Sequence, residues 1–333
     1  MVKDAGLRMA VIGLGVMGAR HAQICHNLTR VDLVAVADIK PGLSQRIGQE
    51  LDVTAYTDYR EMLDDVDVDA VTIAVTDQFH REPCEVSAER GLHIFLEKPI
   101  ATTMEDARAI LDAAERGGVK LMVGHTLRYD PRYKAIRQAA RAGQLGDIIH
   151  AYARRNATVR SGRRLEGRAE AMVFQGVHDI DALTWILGAP ITRVYAESAS
   201  KVLRDLGVAD VTVATLRFAN GAVALLEQSW ALPAEAPTLL DAQLEVVGSK
   251  GAAYIDFRAP SFALITDGQY TQPDAILGLP EAYYLRDEHE HFLDYVAGEA
   301  PPKVGGEEAL QALKVAHATL QSAAEARPVE IGT

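Results

Sequence analysis

The feature that most constrains the fold is a glycine turn, Gly13-Leu14-Gly15-Val16-Met17-Gly18, which follows the apolar run 7–12. With a strand before it and an amphipathic segment after it, this G-x-G-x-x-G spacing indicates a strand-to-helix junction. The first glycine permits a tight turn, the second lets the backbone approach a pyrophosphate, and the third lets the helix pack closely on the sheet. The N–H groups that begin the helix attract phosphate. We therefore predict a dinucleotide site formed by Gly13, Gly15, Val16, Met17 and Gly18.

An acidic residue, Asp38, ends the second predicted strand, which covers residues 31–37. A carboxylate at this position accepts hydrogen bonds from both hydroxyls of an adenosine ribose and repels a 2′-phosphate, which favours NAD over NADP. Lys40 lies close by and weakens this preference, so NADP stays possible. In the alternative interpretation, Asp38 caps the helix that begins near Pro41, and the two roles are compatible.

The pattern of elements along the 333 residues predicts two domains in an α/β chain. Apolar strands alternate with amphipathic helices over residues 1–125, which is typical of a doubly wound parallel sheet, the Rossmann arrangement. Residues 126–333 combine helices near 131–142 and 177–187 with a strand-rich stretch and two closing helices. They predict an α+β domain on a largely antiparallel, open sheet.

The composition excludes several classes of protein. The net charge of -12 argues against non-specific binding to nucleic acid, which requires clustered Lys and Arg. The two cysteines, Cys25 and Cys84, give neither a disulfide framework nor zinc spacing. We see no signal peptide and no apolar run of membrane-spanning length, so we expect a cytoplasmic protein without a membrane partner.

A second motif, Glu97-Lys98-Pro99, ends the fifth predicted strand and so falls on the ligand-binding edge of the sheet. A lysine at this edge is placed to point its ammonium towards a nicotinamide and a substrate hydroxyl, and Pro99 fixes the backbone where the chain leaves the sheet. The alternative is a lysine in a surface salt bridge.

Four segments together resemble the Gfo/Idh/MocA oxidoreductase family over essentially the full length of the chain. They are the glycine turn, Ile73-Ala74-Val75-Thr76 with His80 after it, Glu97-Lys98-Pro99, and Gly176-Val177-His178-Asp179-Ile180-Asp181. The resemblance implies NAD(P)-dependent oxidation or reduction of a hydroxyl or carbonyl on a sugar, an inositol or a related compound, including sugar acids. It also implies a C-terminal sheet that packs against another subunit, in a homodimer or homotetramer.

The resemblance also assigns roles to residues. Lys98 contacts the reacting oxygen, His178 transfers the proton, and Glu97 lies near the nicotinamide ribose, while Thr76 and His80 join the cofactor site. The chemistry supports this catalytic pair, because removing a hydride from a carbinol requires a base for the hydroxyl proton and a positive group beside the developing alkoxide. In the alternative, His178 is a helix histidine satisfied by packing.

One position departs from the family pattern. The family carries an Asp four residues before its histidine, where this chain has Phe174, and a spacing of four places both side chains on one helical face. We therefore expect Phe174 in the substrate pocket and Asp181 as the substitute partner of His178. Our hypothesis is that Lys98 and His178 suffice as a dyad.

Six arginines lie between Arg154 and Arg168, just before the His178 helix. One interpretation is a loop over the active site in which Arg155 recognises an anionic substrate, since a guanidinium binds a carboxylate or phosphate at two points. The alternative is a solvated or intersubunit segment paired with Glu166 and Glu170. The run Glu288-His289-Glu290-His291 suggests a metal, but its two histidines point about 200° apart on a helix, so we expect no metal site.

Two other functions compete with a dehydrogenase. The first is a non-catalytic sensor that keeps the NAD(P) and sugar sites without the chemistry, and Phe174 lends it weight. The second is a lyase or glycosidase that uses bound NAD transiently, and it would form product without net consumption of cofactor.

Overall fold

The computed structural model describes residues 6–236, 240–257, 261–266, 269–271 and 281–332. The chain divides into two compact units, Met1–Thr126 with Pro280–Leu310, and Leu127–Leu279 with Gln311–Thr333. The first unit therefore holds the residues predicted for the nucleotide-binding domain together with a segment from near the end of the chain.

The first unit contains a six-stranded parallel sheet in the order β3-β2-β1-β4-β5-β6. Its strands are β1 (Leu7–Ile12), β2 (Val31–Ala37), β3 (Thr54–Tyr56), β4 (Ala70–Ile73), β5 (His93–Glu97) and β6 (Leu121–Gly124). The helices that follow them are α1 (Val16–Asn27), α2 (Pro41–Leu51), α3 (Tyr59–Asp65), α4 (Arg81–Glu89) and α5 (Met104–Gly117). This order confirms the predicted doubly wound sheet. The order of the strands reverses between β1 and β4. Folds of this kind bind ligands at that point, beyond the carboxyl ends of the strands.

The strands of this sheet are apolar on both faces, which explains why helices cover both sides. All four residues of β4 are buried, and so are the last four of β1. The core beneath α1 and α2 includes Met9, Val11 and Phe95, all with no exposed surface.

The glycine turn has the geometry that its sequence predicts. Gly13 has a φ of +87°, in the left-handed region that favours glycine. A Cβ on Gly18 would lie 1.8 Å from the carbonyl oxygen of Gly13, so only a glycine lets α1 pack this closely on the turn. Gly15, by contrast, has no atom within 4 Å of where its Cβ would be, which leaves the start of α1 open.

The second unit is built on a nine-stranded sheet, mostly antiparallel, in the order β14-β13-β12-β11-β7-β10-β9-β8-β15. Its strands are β7 (Ile148–Thr158), β8 (Ile191–Ala199), β9 (Val211–Phe218), β10 (Val223–Leu232), β11 (Leu240–Gly248), β12 (Ala252–Asp256), β13 (Ser261–Thr266), β14 (Gln269–Thr271) and β15 (Val329–Glu330). The helices are α6 (Pro131–Arg141), α7 (Val159–Arg163) and α8 (Val177–Leu187). The predicted α+β class is confirmed.

One predicted boundary in this unit is wrong. The sequence predicts a strand near residues 147–152, whereas β7 continues to Thr158 and takes in Arg154 and Arg155. The strand continues because β7 lies between β10 and β11, and both neighbours pair with it along this stretch.

Two long helices, α9 (Glu281–Ala297) and α10 (Gly306–Glu325), precede the last strand, β15. Helix α9 packs on α1, where Phe292 and Leu293 join the core of the first unit. Lys120 caps its last turn, since Nζ donates to the carbonyls of Tyr295 at 2.5 Å and Val296 at 3.0 Å. Among the helices that the structure describes, none has the length and apolar character needed to cross a bilayer.

Replacing Gly18 by Ala is expected to lower the free energy of unfolding by about 3 kcal/mol, because the added methyl has no room beside Gly13. Gly15→Ala is the matched control, since its methyl meets nothing, and we expect a change within about 0.5 kcal/mol. Urea unfolding followed by circular dichroism measures both. Equal stabilities for the two variants would contradict the close approach.

Candidate functional site

A cleft of about 460 Å³ opens in the first unit beyond the carboxyl ends of β1, β2 and β4. Gly13, Gly15, Asp38 and Thr76 line it, as the sequence predicts for a dinucleotide site. The remaining lining residues are Ile12, Ala37, Ile39, Lys40, Leu43, Thr57, Tyr59, Ala74, Val75, Phe79, Glu82 and Pro83. Ile39 is 86% exposed and Phe79 60% exposed, so both offer apolar surface to a planar ligand.

Asp38 is held at this cleft by backbone donors. Its Oδ2 accepts from the N–H of Leu14 at 2.7 Å, and its Oδ1 accepts from the N–H of Lys40 at 2.9 Å. The alternative role as a helix cap is wrong in detail, because Lys40 occupies the N-cap position of α2 and no side chain caps this helix. Asp38 instead ties the glycine turn to the start of α2, which fixes its carboxylate at the mouth of the cleft.

Glu97 and Lys98 stand at the end of β5, where the sequence predicts them. Lys98 is half-buried, and the peptide bond to Pro99 is cis. Glu97 is only 6% exposed; its Oε2 accepts from the N–H of Lys98 at 3.0 Å, and its Oε1 lies 2.7 Å from His21 Nε2. The carboxylate is therefore directed at α1, and the ribose contact that the resemblance implies for Glu97 stays a prediction.

Opposing effects act on the pKa of Glu97. Burial raises it, but the hydrogen bond and charge of His21, together with the charge and backbone N–H of Lys98, outweigh burial and lower it. Glu97 is thus a carboxylate at neutral pH. Its negative charge interacts favourably with that of the Lys98 ammonium.

His80 joins two loops at the ligand edge. Its Nδ1 lies 3.0 Å from the carbonyl oxygen of Pro99, and its Nε2 lies 3.2 Å from that of Val75. Burial lowers the pKa of His80, although the charges of Asp77 and Glu97 and the contacts with the carbonyl groups of Val75 and Ile100 act in the opposite direction. His80 thus connects the loop after β4 to the Glu-Lys-Pro loop, whereas Thr76 is exposed at the cleft.

His178 lies in the second unit, half-buried in the first turn of α8. Its neighbour Asp179 anchors that turn to the sheet. Arg155 Nε and Nη2 donate to the two oxygens of Asp179 at 2.8 and 2.9 Å, and Gln228 Nε2 donates to Oδ2 at 2.8 Å. The helix that carries His178 is therefore fixed to both β7 and β10.

This arrangement argues against Arg155 as a substrate contact. Arg155 is 6% exposed, and the fork that would bind an anion holds Asp179 instead. Arg154 and Arg163 are likewise paired, with Asp241 at 2.9 Å and Asp205 at 2.8 Å. These acids differ from Glu166 and Glu170, the partners named in the alternative interpretation, although the pairing itself agrees with that interpretation.

Asp181 also forms a buried ion pair. Arg128 Nε and Nη2 donate to its two oxygens at 2.9 and 2.6 Å, and both residues are buried. A guanidinium thus binds both carboxylate oxygens of Asp181. The role of Asp181 as partner of His178 stays a prediction.

Phe174 packs against an apolar cluster of the second unit. Its ring centroid lies 6.3 Å from that of Trp230, and the cluster also includes Leu165 and Ala171. Phe174 lies within a π-helical turn, Met172–Gly176, in which hydrogen bonds span five residues. Its place in the substrate pocket stays a prediction.

The fold and the cleft thus define a dinucleotide-binding protein, and comparison with known proteins gives the family. Residues 7–125 match the oxidoreductase family with an NAD-binding Rossmann fold, and residues 133–254 match the Gfo/Idh/MocA C-terminal domain. The chain belongs to the Gfo/Idh/MocA oxidoreductase family, as the motifs predict.

Similar proteins cover nearly the whole chain. An inositol 2-dehydrogenase of Rhizobium meliloti (strain 1021) is 30% identical over 98% of this chain and 99% of its own. A myo-inositol 2-dehydrogenase of Thermotoga maritima is 29% identical over 98% of both. The crystal structure of myo-inositol 2-dehydrogenase from Lactobacillus plantarum has a TM-score of 0.86 at 27% identity, covering 98% of this chain and 100% of that one.

Replacing Arg155 by Met is expected to lower the free energy of unfolding by about 3–5 kcal/mol, because Asp179 then stays buried without its cation. Arg160→Met is the control: its side chain is 72% exposed and pairs only loosely with Glu235, so we expect at most about 0.5 kcal/mol. Chemical denaturation measures both. A stable Arg155→Met protein with a raised KM for anionic substrates alone would restore the substrate-contact interpretation.

Proposed function

We propose that this chain is an NAD-dependent dehydrogenase that oxidises a secondary hydroxyl of a neutral polyol, an inositol or a related sugar. The observation that carries the proposal is the cleft in which the glycine turn and Asp38 meet. Membership in an NAD-binding oxidoreductase family supports it, and so do the two relatives named as inositol 2-dehydrogenases, each aligned over 98% of the chain.

The residues of the cleft fit NAD. The open side of Gly15 admits a pyrophosphate to the N-terminus of α1, and the anchored carboxylate of Asp38 faces the same cleft as a ribose acceptor. When bound, NAD supplies the hydride acceptor. The carboxylate also disfavours a 2′-phosphate, so NAD is preferred to NADP.

Two residues handle the oxygen and its proton. The Lys98 ammonium, whose charge interacts with that of Glu97, stabilises negative charge as it develops on the hydroxyl oxygen. His178 takes up the hydroxyl proton, for which an imidazole is suited because its ordinary pKa is about 6.5. The assignment rests on the family motifs and on the rigid anchoring of both loops, by His80 in one unit and Asp179 in the other.

The pairing of the two buried arginines favours a neutral substrate. Arg128 and Arg155, the two buried arginines beside α8, are each bound to a carboxylate through two hydrogen bonds. An anionic substrate would have to compete with Asp181 or Asp179 for these forks, at the cost of leaving a buried carboxylate without its cation.

Lys98→Met and His178→Gln are each expected to lower kcat/KM on the best polyol by about 100-fold or more, because each removes a group that acts on the reacting oxygen. Affinity for NAD should stay within a few-fold of wild type. The absorbance of reduced nicotinamide across a polyol panel measures turnover. The matched controls are Lys250→Met and His150→Gln, since the side chains of Lys250 and His150 are exposed.

Other outcomes identify the competing functions. Turnover within a few-fold of wild type in both variants would contradict the hypothesis that Lys98 and His178 act as a catalytic dyad. Tight NAD binding with no absorbance change for any polyol would indicate a sensor. Product without net reduction of NAD would indicate a lyase or glycosidase.

We also propose that the chain forms a homo-oligomer through the open face of the second sheet. Tyr195, Val213 and Leu225 lie on the neighbouring strands β8, β9 and β10 and are 36%, 42% and 46% exposed. Apolar side chains clustered on a polar-rimmed surface mark protein interfaces. The surface is self-complementary in chemistry, so a second copy of this chain is the partner that we propose.

Leu225→Lys is expected to shift the protein towards monomer, because it places a charge within the apolar patch. Light scattering coupled to size-exclusion chromatography measures the mass. Val202→Lys is the control, since Val202 is 47% exposed but lies outside the sheet. An unchanged mass for Leu225→Lys, or a wild-type monomer, would contradict this interface.

A further inference from the structure

A buried chain of hydrogen bonds runs behind the Glu-Lys-Pro motif. His21 Nε2 lies 2.7 Å from Glu97 Oε1, His21 Nδ1 lies 2.9 Å from His289 Nε2, and His289 Nδ1 lies 3.8 Å from the sulfur of Cys25. His21, His289 and Cys25 have no exposed surface. The chain therefore connects α1 and α9 to the carboxylate at the end of β5, in the interior of the first unit.

Packing holds both imidazole rings in place. His289 stacks on Phe95 with ring centroids 4.6 Å apart, and His21 meets the same ring edge-on at 5.4 Å. The helix that carries His289 is itself tied down, by Lys120 at its last turn and by the ion pair of Arg30 with Asp294 at 2.6 Å. These contacts fix the geometry of the two histidines without help from a ligand.

The protons in this chain of hydrogen bonds can be assigned from its two ends. Glu97 is a carboxylate and only accepts, so the His21 Nε2 carries a proton and donates to it. Burial and the charge of His21 lower the pKa of His289 well below the usual range, so its ring is neutral. Burial raises the pKa of the Cys25 thiol to about 12, so the thiol is protonated.

Two arrangements satisfy these constraints, and they differ by one proton on His21. With a neutral His21, the Cys25 thiol donates to His289 and His289 Nε2 donates to His21. With a charged His21, the bond between the histidines reverses, and His289 turns its remaining proton towards Cys25. In both arrangements Glu97 keeps its donor, so a change of proton count on the pair leaves the carboxylate in place.

We propose that His21 and His289 are positioning residues for the Glu-Lys-Pro motif. They form a buried histidine pair that fixes the Glu97 carboxylate and, through its second oxygen, the backbone N–H of Lys98. The consequence for turnover rests on the proposed function, in which the Lys98 ammonium faces the reacting oxygen. The effect of the His21–His289 pair on the Glu97 carboxylate does not depend on the proposed function.

The ionisable groups around Glu97 are few in the described structure. His21 and Cys25 come from α1, His289 from α9, Lys98 from the loop after β5, and the charge of Glu97 also acts on His80. Of these, only His21 donates a side-chain hydrogen bond to the carboxylate in the contacts described for it. Without that donor, the charge and backbone N–H of Lys98 still oppose the effect of burial but His21 no longer does, which moves the titration of Glu97 to higher pH.

The first experiment uses the full-length protein without cofactor or substrate. Carbon NMR of chains labelled at glutamate carboxyls follows the Glu97 signal with pH, and Glu97→Gln assigns it by its absence. We expect His21→Leu to raise the titration midpoint of Glu97 by at least one pH unit and His21→Gln to raise it less, because the amide still donates. His291→Leu, two residues from His289 on the same helix and bonded to the Pro301 carbonyl, is the control with no change.

The second experiment compares kcat for Leu and Gln at position 289. If His289 serves only to fill the core, the apolar Leu is tolerated better than the polar Gln. If it donates to His21, Gln retains the donor and Leu does not, so we expect Gln to keep kcat within about threefold and Leu to lose about tenfold. Affinity for NAD, measured by fluorescence, should be similar in both variants.

The outcomes separate this proposal from the proposed function. A Glu97 midpoint that does not move in His21→Leu overturns the proposal, and so does a kcat for His289→Leu equal to or above that of His289→Gln. If His21→Leu raises the titration midpoint of Glu97 but the wild-type protein turns over no polyol, the positioning role of His21 is supported and the proposed activity is contradicted.

Discussion

The close approach of Gly18 to the carbonyl of Gly13 is the contact on which the rest of the first unit depends. A side chain here would push α1 away from the turn, since even a Cβ would come within 1.8 Å of that carbonyl. With α1 seated, its N-terminus opens on the cleft while His21 and Cys25 enter the interior. The same two glycines therefore place the phosphate site and the histidine that contacts Glu97.

The second unit positions its candidate catalytic residue differently, through buried ion pairs. Asp179 and Asp181 lie on α8 next to His178, and each receives a guanidinium from another element. Such pairs add little net stability, because burying the charges costs about as much as their attraction returns. What they supply is specificity of placement, since any other seating of α8 would leave buried charges unpaired.

Much of this could be predicted from the sequence, because the signals are local. The glycine turn, Asp38 and the alternation of strands and helices all depend on neighbouring residues, and the parallel sheet follows from them. The π-helical turn at 172–176, which contains Phe174, could not be predicted, since nothing in the sequence marks it. The ion pairs of Arg155 with Asp179 and of Arg128 with Asp181 could not be predicted either, because a charged residue does not reveal which opposite charge it will meet.

The pairing of His21 with His289 was also beyond sequence reasoning. The two residues lie 268 positions apart, and a helical histidine next to glutamates suggests a metal ligand before it suggests a core contact. His80 is a similar case. Its position after β4 identifies the family motif, but only the structure shows that its ring joins two loops.

The return of α9 to the first unit has a consequence for biosynthesis. Phe292 and Leu293 complete the core beneath α1, yet they are made only after most of the second unit has been translated. An N-terminal domain ordinarily folds as a unit while the ribosome is still adding the rest of the chain. Here the nucleotide-binding half must wait, with one flank of α1 uncovered, until nearly the whole polypeptide has emerged.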